Sequence, residues 1–141
     1  MKILVPVDGS PYTKRMLGYL AAHEEWLAPS NTFTILHAVP PIPARAAAVV
    51  DRETLKAHYT KEADTVFKPI KAFFAKKQAL NPSYVSKVGA PADVIAQLAS
   101  KGDFDLIVMG SHGHGSLANL VMGSVATRVL AHCKAPVLLV R

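Results

Sequence analysis

The sequence predicts an α/β fold: a three-layer αβα arrangement around a five-stranded parallel sheet. Three observations point there. Five short apolar runs alternate with segments of helical period along the 141 residues. Proline and glycine stand at the transitions, and the fourth run is apolar almost throughout. Such alternation implies parallel strands joined by right-handed crossovers, with helices on both faces of the sheet. The length suits one domain spanning 1–141. A composition of 50% hydrophobic and 18% charged residues supports a packed core.

Residues 2–7 (KILVPV) read as the first strand, stopped by Asp8-Gly9-Ser10-Pro11. Ser10 is a candidate N-cap and Pro11 fits the first helical position. Met16, Leu17, Leu20, Ala21 and Leu27 then recur at helical spacing to about Ala28. Residues 32–39 (TFTILHAV) form the second strand. The prolines of 40–43 stiffen a loop expected over 40–50. From Asp51 a long helix carries an apolar stripe through Leu55, Tyr59, Ala63, Val66, Phe67, Ile70, Phe73 and Phe74, and Pro69 predicts a kink or a break into two shorter helices. Residues 84–88 are a more polar strand, expected near a sheet edge. A helix begins about Ala90 and ends at Gly102. Residues 104–109 form a strand buried on both faces, 124–133 the last helix and 136–140 the fifth strand.

Composition bounds the function. No apolar run approaches the ~20 residues of a membrane span, and the N-terminus lacks the features of a signal peptide. The one cysteine, Cys133, gives neither an internal disulfide nor a metal cluster, so a cytoplasmic location is expected. The net charge of +6 favours anionic partners. Yet Lys56, Lys61, Lys68, Lys71, Lys76 and Lys77 spread along one helix, as on a solvated face. The clustered, aromatic-interleaved basic surface of a nucleic-acid binder is not seen.

The stretch 109–124, MGSHGHGSLANLVMGS, concentrates half of the chain's eight glycines. It follows the fourth strand, where an open parallel sheet binds ligands if the strand order reverses there. Asp8 and residues 39–41 end strands on the same side. One reading is a phosphate cradle: Gly123-Ser124 precedes the last helix, whose unpaired N–H groups and partial positive charge suit phosphate. Gly110 and Gly113 would turn the chain beneath a sugar or phosphate. A second reading is a metal site, but His112 and His114 have no carboxylate or cysteine nearby, and His37 and His132 would have to converge to supply the three or four ligands of zinc. The third is a plain surface loop. Known phosphate motifs fit poorly. Ser116 stands where a Walker lysine belongs, and the G-x-G-x-x-A match at 113–118 follows the wrong strand.

The pattern Gly110-x-x-Gly113, nine residues, Gly123-Ser124 resembles the G-2x-G-9x-G-[ST] signature of the universal stress protein family. "ILVPVDGS", "LHAVP", "DLIVMGSHG" and "VATRVLAHCKAPVLLVR" are similar to that family's opening strand, second-strand end and closing half. The resemblance covers the whole chain and implies the strand order 3-2-1-4-5, a doubly wound fold of the adenine nucleotide alpha hydrolase-like kind. It implies the ATP-binding branch. By motif position, Pro6, Val7 and Asp8 would line the site, Asp8 meeting the ribose or a phosphate-bound Mg²⁺. Val39 would offer its backbone to the adenine edge, and Met109 and Gly110 would pack on ribose and base. Gly113, Gly123, Ser124 and Val125 would hold the phosphates, and His112 could donate to one. The resemblance also implies a homodimer through residues 136–140, an apolar edge strand that is a hazard unless paired.

Two classes of function follow, with nucleic-acid binding through the excess positive charge as a third and lower reading. One is a nucleotide-binding stress-response module whose ATP occupancy alters its shape or partners. The alternative is a weak ATPase or autophosphorylating enzyme in the same site, with Asp8 holding metal and His112 or Ser124 assisting. No general base stands out, so no catalytic residue is assigned, and no resident metal ligands are assigned either.

Overall fold

The computed structural model describes residues 1–115, 119 and 121–141. Ser116, Leu117, Ala118 and Leu120 lie outside the described residues, and with them the ends of both phosphate-motif matches noted above. The elements are β1 (Lys2–Pro6), α1 (Pro11–Ala22), a 3₁₀ turn (Glu24–Leu27), β2 (Thr32–Val39), α2 (Ala44–Ala47), α3 (Arg52–Ala75), β3 (Ser83–Val88), α4 (Pro91–Gly102), β4 (Leu106–Gly110), α5 (Ser124–His132) and β5 (Val137–Val140).

All strand pairs are parallel, in the order β3-β2-β1-β4-β5. Ile3 is in register with Phe33 on one side and Leu106 on the other. The order reverses between β1 and β4, so a crevice opens at their carboxyl ends. Each face of the sheet has its own core. Ile3, Val5, Ile35, Val39 and Val108 pack with Met16 and Leu20 of α1 and with Phe67, Ile70 and Phe74 of α3. Leu4, Leu36, Ala38, Ile107 and Met109 pack with Val94 and Ile95 of α4 and Val129 of α5. Period-2 alternation along each strand produces this division. Among the described residues, no helix is long and apolar enough to cross a membrane.

Four expectations need correction. The first helix ends at Ala22 rather than about Ala28: the Tyr19 carbonyl takes the His23 amide at 3.1 Å, and the His23 ring N–H donates to it at 2.9 Å. The segment 40–50 is not all loop, since α2 occupies part of it. Pro69 does not divide the long helix, which runs unbroken over 24 residues. A mid-helix proline costs about 3 kcal/mol. Phe67, Ile70 and Phe74, all nearly fully buried, return about 1.5–3 kcal/mol each, which outweighs it. The fourth strand starts at Leu106, because Asp105 is held against Lys2: its amide donates to the Lys2 carbonyl at 2.9 Å and its carboxylate accepts from the Lys2 amide at 2.6 Å.

Helix starts are built unequally. Asp51 caps α3, accepting from the Thr54 amide and hydroxyl at 2.8 Å each, and those bonds hold its carboxyl below the usual carboxylate range. Ser10 has the extended backbone of an N-cap but makes no side-chain cap bond. Its hydroxyl is fully buried and has no partner among the described residues.

Candidate functional site

The chain leaves β1 through Val7 into a tight turn. Gly9 supplies the left-handed backbone, φ +74°, that the turn needs. One oxygen of Asp8 accepts from the Ser10 amide at 2.9 Å and from the Thr13 hydroxyl at 3.1 Å. Thr13 Oγ1 in turn accepts from the Asp8 amide at 3.3 Å. Asp8 is thus fixed by the first turn of α1, and its other oxygen is turned toward Gly113, where an ideal β-carbon would lie 2.6 Å away.

β4 ends beside this turn. A β-carbon on Gly110 would come within 2.7 Å of Tyr12 Cβ. The Ser111 amide donates to the Val140 carbonyl at 2.8 Å, and the Gly123 amide donates to the Ser111 carbonyl at 2.7 Å. The loop is therefore pinned shut at its base, and a β-carbon on Gly123 would stand 3.0 Å from both His112 Cα and the Ser111 carbonyl oxygen. None of Gly110, Gly113 and Gly123 has positive φ. These glycines are required by close packing of protein against protein, not by left-handed backbone. Gly123 is the N-cap of α5 and carries no side-chain cap, so the first-turn amides of that helix remain for another acceptor.

Two adjoining hollows result. Pro6, Val7, Asp8, Met109, Gly110, His112 and Val125 line the first, of about 510 Å³, together with Thr13, Leu36, Ala38, Pro91 and Ile95. Its walls are mostly apolar side chains from β1, β2, β4 and the starts of α4 and α5. The second, open to solvent, measures about 1100 Å³ and brings Gly113, Gly123 and Ser124 to Asp8, His112 and Val125. Its far wall includes His37, Pro40, Glu62 and Val66. Asp8, Ala38, Pro91, His112 and Val125 belong to both, so the two form one cleft.

Every sequence-predicted site residue except Val39 lines this cleft. Val39 is 1% exposed, its carbonyl accepts from the Gly89 amide at 3.0 Å, and it lines a separate groove beside Tyr59 and Lys87. The histidines divide. His37, His112 and His114 line the open hollow, with His37 donating from Nδ1 to the Val7 carbonyl at 2.8 Å and His114 from Nε2 to the Asp8 carbonyl at 2.6 Å. His132 lies elsewhere, with Cys133 and Asp103. Among the described residues, no group of three or more His, Cys, Asp or Glu could hold a metal ion.

Sequence reasoning missed Thr13, Pro91, Ile95, Glu62 and Val66. Thr13 had a readable signal, a hydroxyl one helical turn beyond a turn-forming aspartate. The others read only as helix starts or amphipathic helix. Among the described residues, no lysine or arginine lines the cleft, whereas Asp8 and Glu62 do. A bound anion there would be met by main-chain amides and neutral or histidine side chains.

The sequence profile of the universal stress protein family matches residues 1–141. A universal stress protein of Thermus aquaticus is 31% identical over 139 residues, covering 99% of this chain and 97% of that one. The structure of hypothetical protein MJ0577, of Methanocaldococcus jannaschii, superposes with a TM-score of 0.80 at 28% identity, covering 99% of this chain and 94% of that one. Members more distant in sequence share the fold. They include one from Arabidopsis thaliana with AMP bound (16% identity, 99% of this chain and 90% of that one, TM-score 0.68). Another, from Archaeoglobus fulgidus, is in complex with dAMP (24%, 100% and 98%, TM-score 0.66).

Proposed function

Because the chain belongs to the universal stress protein family, we propose that its cleft binds an adenine nucleotide and that the protein is a cytoplasmic stress-response module governed by that occupancy. The observation that carries this reading is the pairing of two unlike compartments. The first hollow is an apolar slot between Pro6, Ala38, Pro91, Ile95, Met109 and Val125, suited to a flat base. The second is bordered by the uncapped start of α5 at Gly123-Ser124, suited to phosphate. Asp8 lies where the two meet and would receive ribose hydroxyls. Relatives of the same fold hold AMP and dAMP.

Charge decides how a triphosphate would enter. Among the described residues, the cleft offers carboxylates and no lysine or arginine. ATP would therefore come with Mg²⁺ on its phosphates, whereas AMP would need none. Val39 would contribute through its main chain at the end of β2.

A homodimer through β5 belongs to the same reading. That strand ends the sheet, and Val137, Leu138 and Leu139 are only half-buried. Antiparallel pairing with a second copy would cover them. Light scattering after gel filtration should give twice the 15.1 kDa chain mass.

Calorimetric titration with AMP and with Mg-ATP tests the site. Substitutions of Gly110 or Gly123 are poor controls here, since a side chain would strike Tyr12 Cβ or the main chain of Ser111 and His112. Val125→Glu is better. Val125 is half-buried on the first turn of α5, where a carboxylate favours the helix but repels phosphate. Saturable heat with wild type and at least tenfold weaker binding by the variant are expected. A flat titration with both nucleotides would reject the reading.

A further inference from the structure

A second groove lies between the first half of α3 and the end of β3. Alternation along β3 places Tyr84, Ser86 and Val88 on one face, and the Tyr84 ring meets Phe67 of α3 at 5.3 Å, which identifies that face. Val39, Leu55 and Val88 give the groove of about 600 Å³ an apolar floor, and Val88 is 47% exposed. Arg52 and Lys56, one turn apart on α3, stand over it, and Lys87 closes its edge.

Among the described residues, no carboxylate lines this groove. Of the acids nearest in sequence, Asp51 holds Thr54, and Glu53 lines an adjoining hollow with Lys61 and Asp64 that shares Lys56 and Thr60 with this groove. The ion pairs of the described residues, Lys77–Glu24 and Arg128–Asp93, include none of the three cations. The hydroxyls of Thr60 and Ser86 also line the groove and make no hydrogen bond to the described residues. The Tyr59 hydroxyl accepts from the Ile42 amide at 3.1 Å and keeps its own proton to donate. Among the described residues, donors and cations thus line the groove without a carboxylate. Like charges at i and i+4 repel on a helix, and an anion between Arg52 and Lys56 relieves that repulsion. Solvated helix cations are ordinary, but solvation alone does not account for the exposed Val88 in the floor of the groove they line.

We infer that this groove is a second ligand site, for a small anion with a flat apolar body such as an aryl phosphate. The phosphate sits between Arg52 and Lys56, within reach of Thr60 and Ser86, and the ring covers Val88 and Leu55. The site is separate from the nucleotide cleft and does not rest on it: Val39 faces the groove while its neighbour Pro40 borders the cleft.

Amide-resolved NMR titration of the full chain with 1-naphthyl phosphate tests this, with 1-naphthol and inorganic phosphate run beside it. Saturable shifts are expected at Ser86, Lys87 and Val88 and not at Gly110 or Gly123. Each half-ligand should bind at least tenfold more weakly. Arg52→Gln with Lys56→Gln should weaken binding at least tenfold with the melting temperature unchanged, since both positions are exposed. Val88→Asp, which sets a carboxylate beneath the cations, should do the same. Absence of saturation, shifts confined to the cleft glycines, inorganic phosphate binding as well as the aryl ester, or unweakened binding by either variant would overturn the inference. AMP affinity, followed at the cleft glycines, should not change in the double glutamine variant. A failure of AMP to bind at all would count against the nucleotide reading alone.

Discussion

The Asp8 carboxylate occupies the space that a side chain on Gly113 would need, 2.6 Å from the ideal β-carbon position. Asp8 can move aside only by loosening the bonds that Ser10 and Thr13 make to its other oxygen. Gly113→Ala should therefore displace the carboxylate while leaving the fold largely intact, within about 1 kcal/mol. AMP affinity should fall about tenfold, about 1.4 kcal/mol. Gly115→Ala is the matched control, as nothing among the described residues lies within 4 Å of its β-carbon position. Equal AMP affinities for the two variants would show that the Asp8 position does not matter to the ligand.

Gly123 presents a different obstacle. Its β-carbon would strike His112 Cα and the Ser111 carbonyl, and main chain has little freedom to yield. Gly123→Ala should cost about 1–3 kcal/mol of stability as an overpacking defect. Urea denaturation without any nucleotide is the measurement. An unchanged midpoint would mean that the loop base is looser than its 2.7 Å hydrogen bond implies.

Ser10 should be dispensable. Its hydroxyl is buried and unpartnered among the described residues, so Ser10→Ala removes no hydrogen bond and relieves a desolvated polar group. The expected outcome in thermal unfolding is a midpoint equal to wild type or raised, by up to about 1 kcal/mol equivalent. A clear loss of stability would indicate that the hydroxyl has a partner, such as an internal water.

Cys133 provides a test against pH. Burial disfavours its thiolate and pushes the thiol up from its ordinary value. Its rate of alkylation by iodoacetamide should rise with pH later than that of glutathione, giving slower reaction at pH 8. The stability linkage has the same sign. The unfolded chain releases this proton first, so the contribution is present below the ordinary thiol range and declines as pH rises through it. A rate profile that leads glutathione's toward acid would contradict the burial seen here.

The sequence alone determined the architecture. Hydrophobic period is a property of neighbouring residues, and a strand such as Phe33–Val39 or a helix such as Met16–Leu20 shows it directly. The alternation of the two then leaves parallel crossovers as the solution. Element ends were less legible because they depend on partners: the Asp105 carboxylate on the Lys2 amide delays β4, and Phe67, Ile70 and Phe74 against the sheet carry α3 past Pro69.

Only the tertiary structure decided what meets at the crevice. Asp8 and Gly113 come together because β1 and β4 are neighbours, and nothing local to either residue encodes that distance. The same crossovers bring Pro91 and Glu62 to the cleft and leave Val39 on its other side. The tertiary structure also replaced the reason for the glycines. A composition rich in glycine says that side chains must be absent, but not which atoms fill the space, and here they are the protein's own carboxylate and main chain.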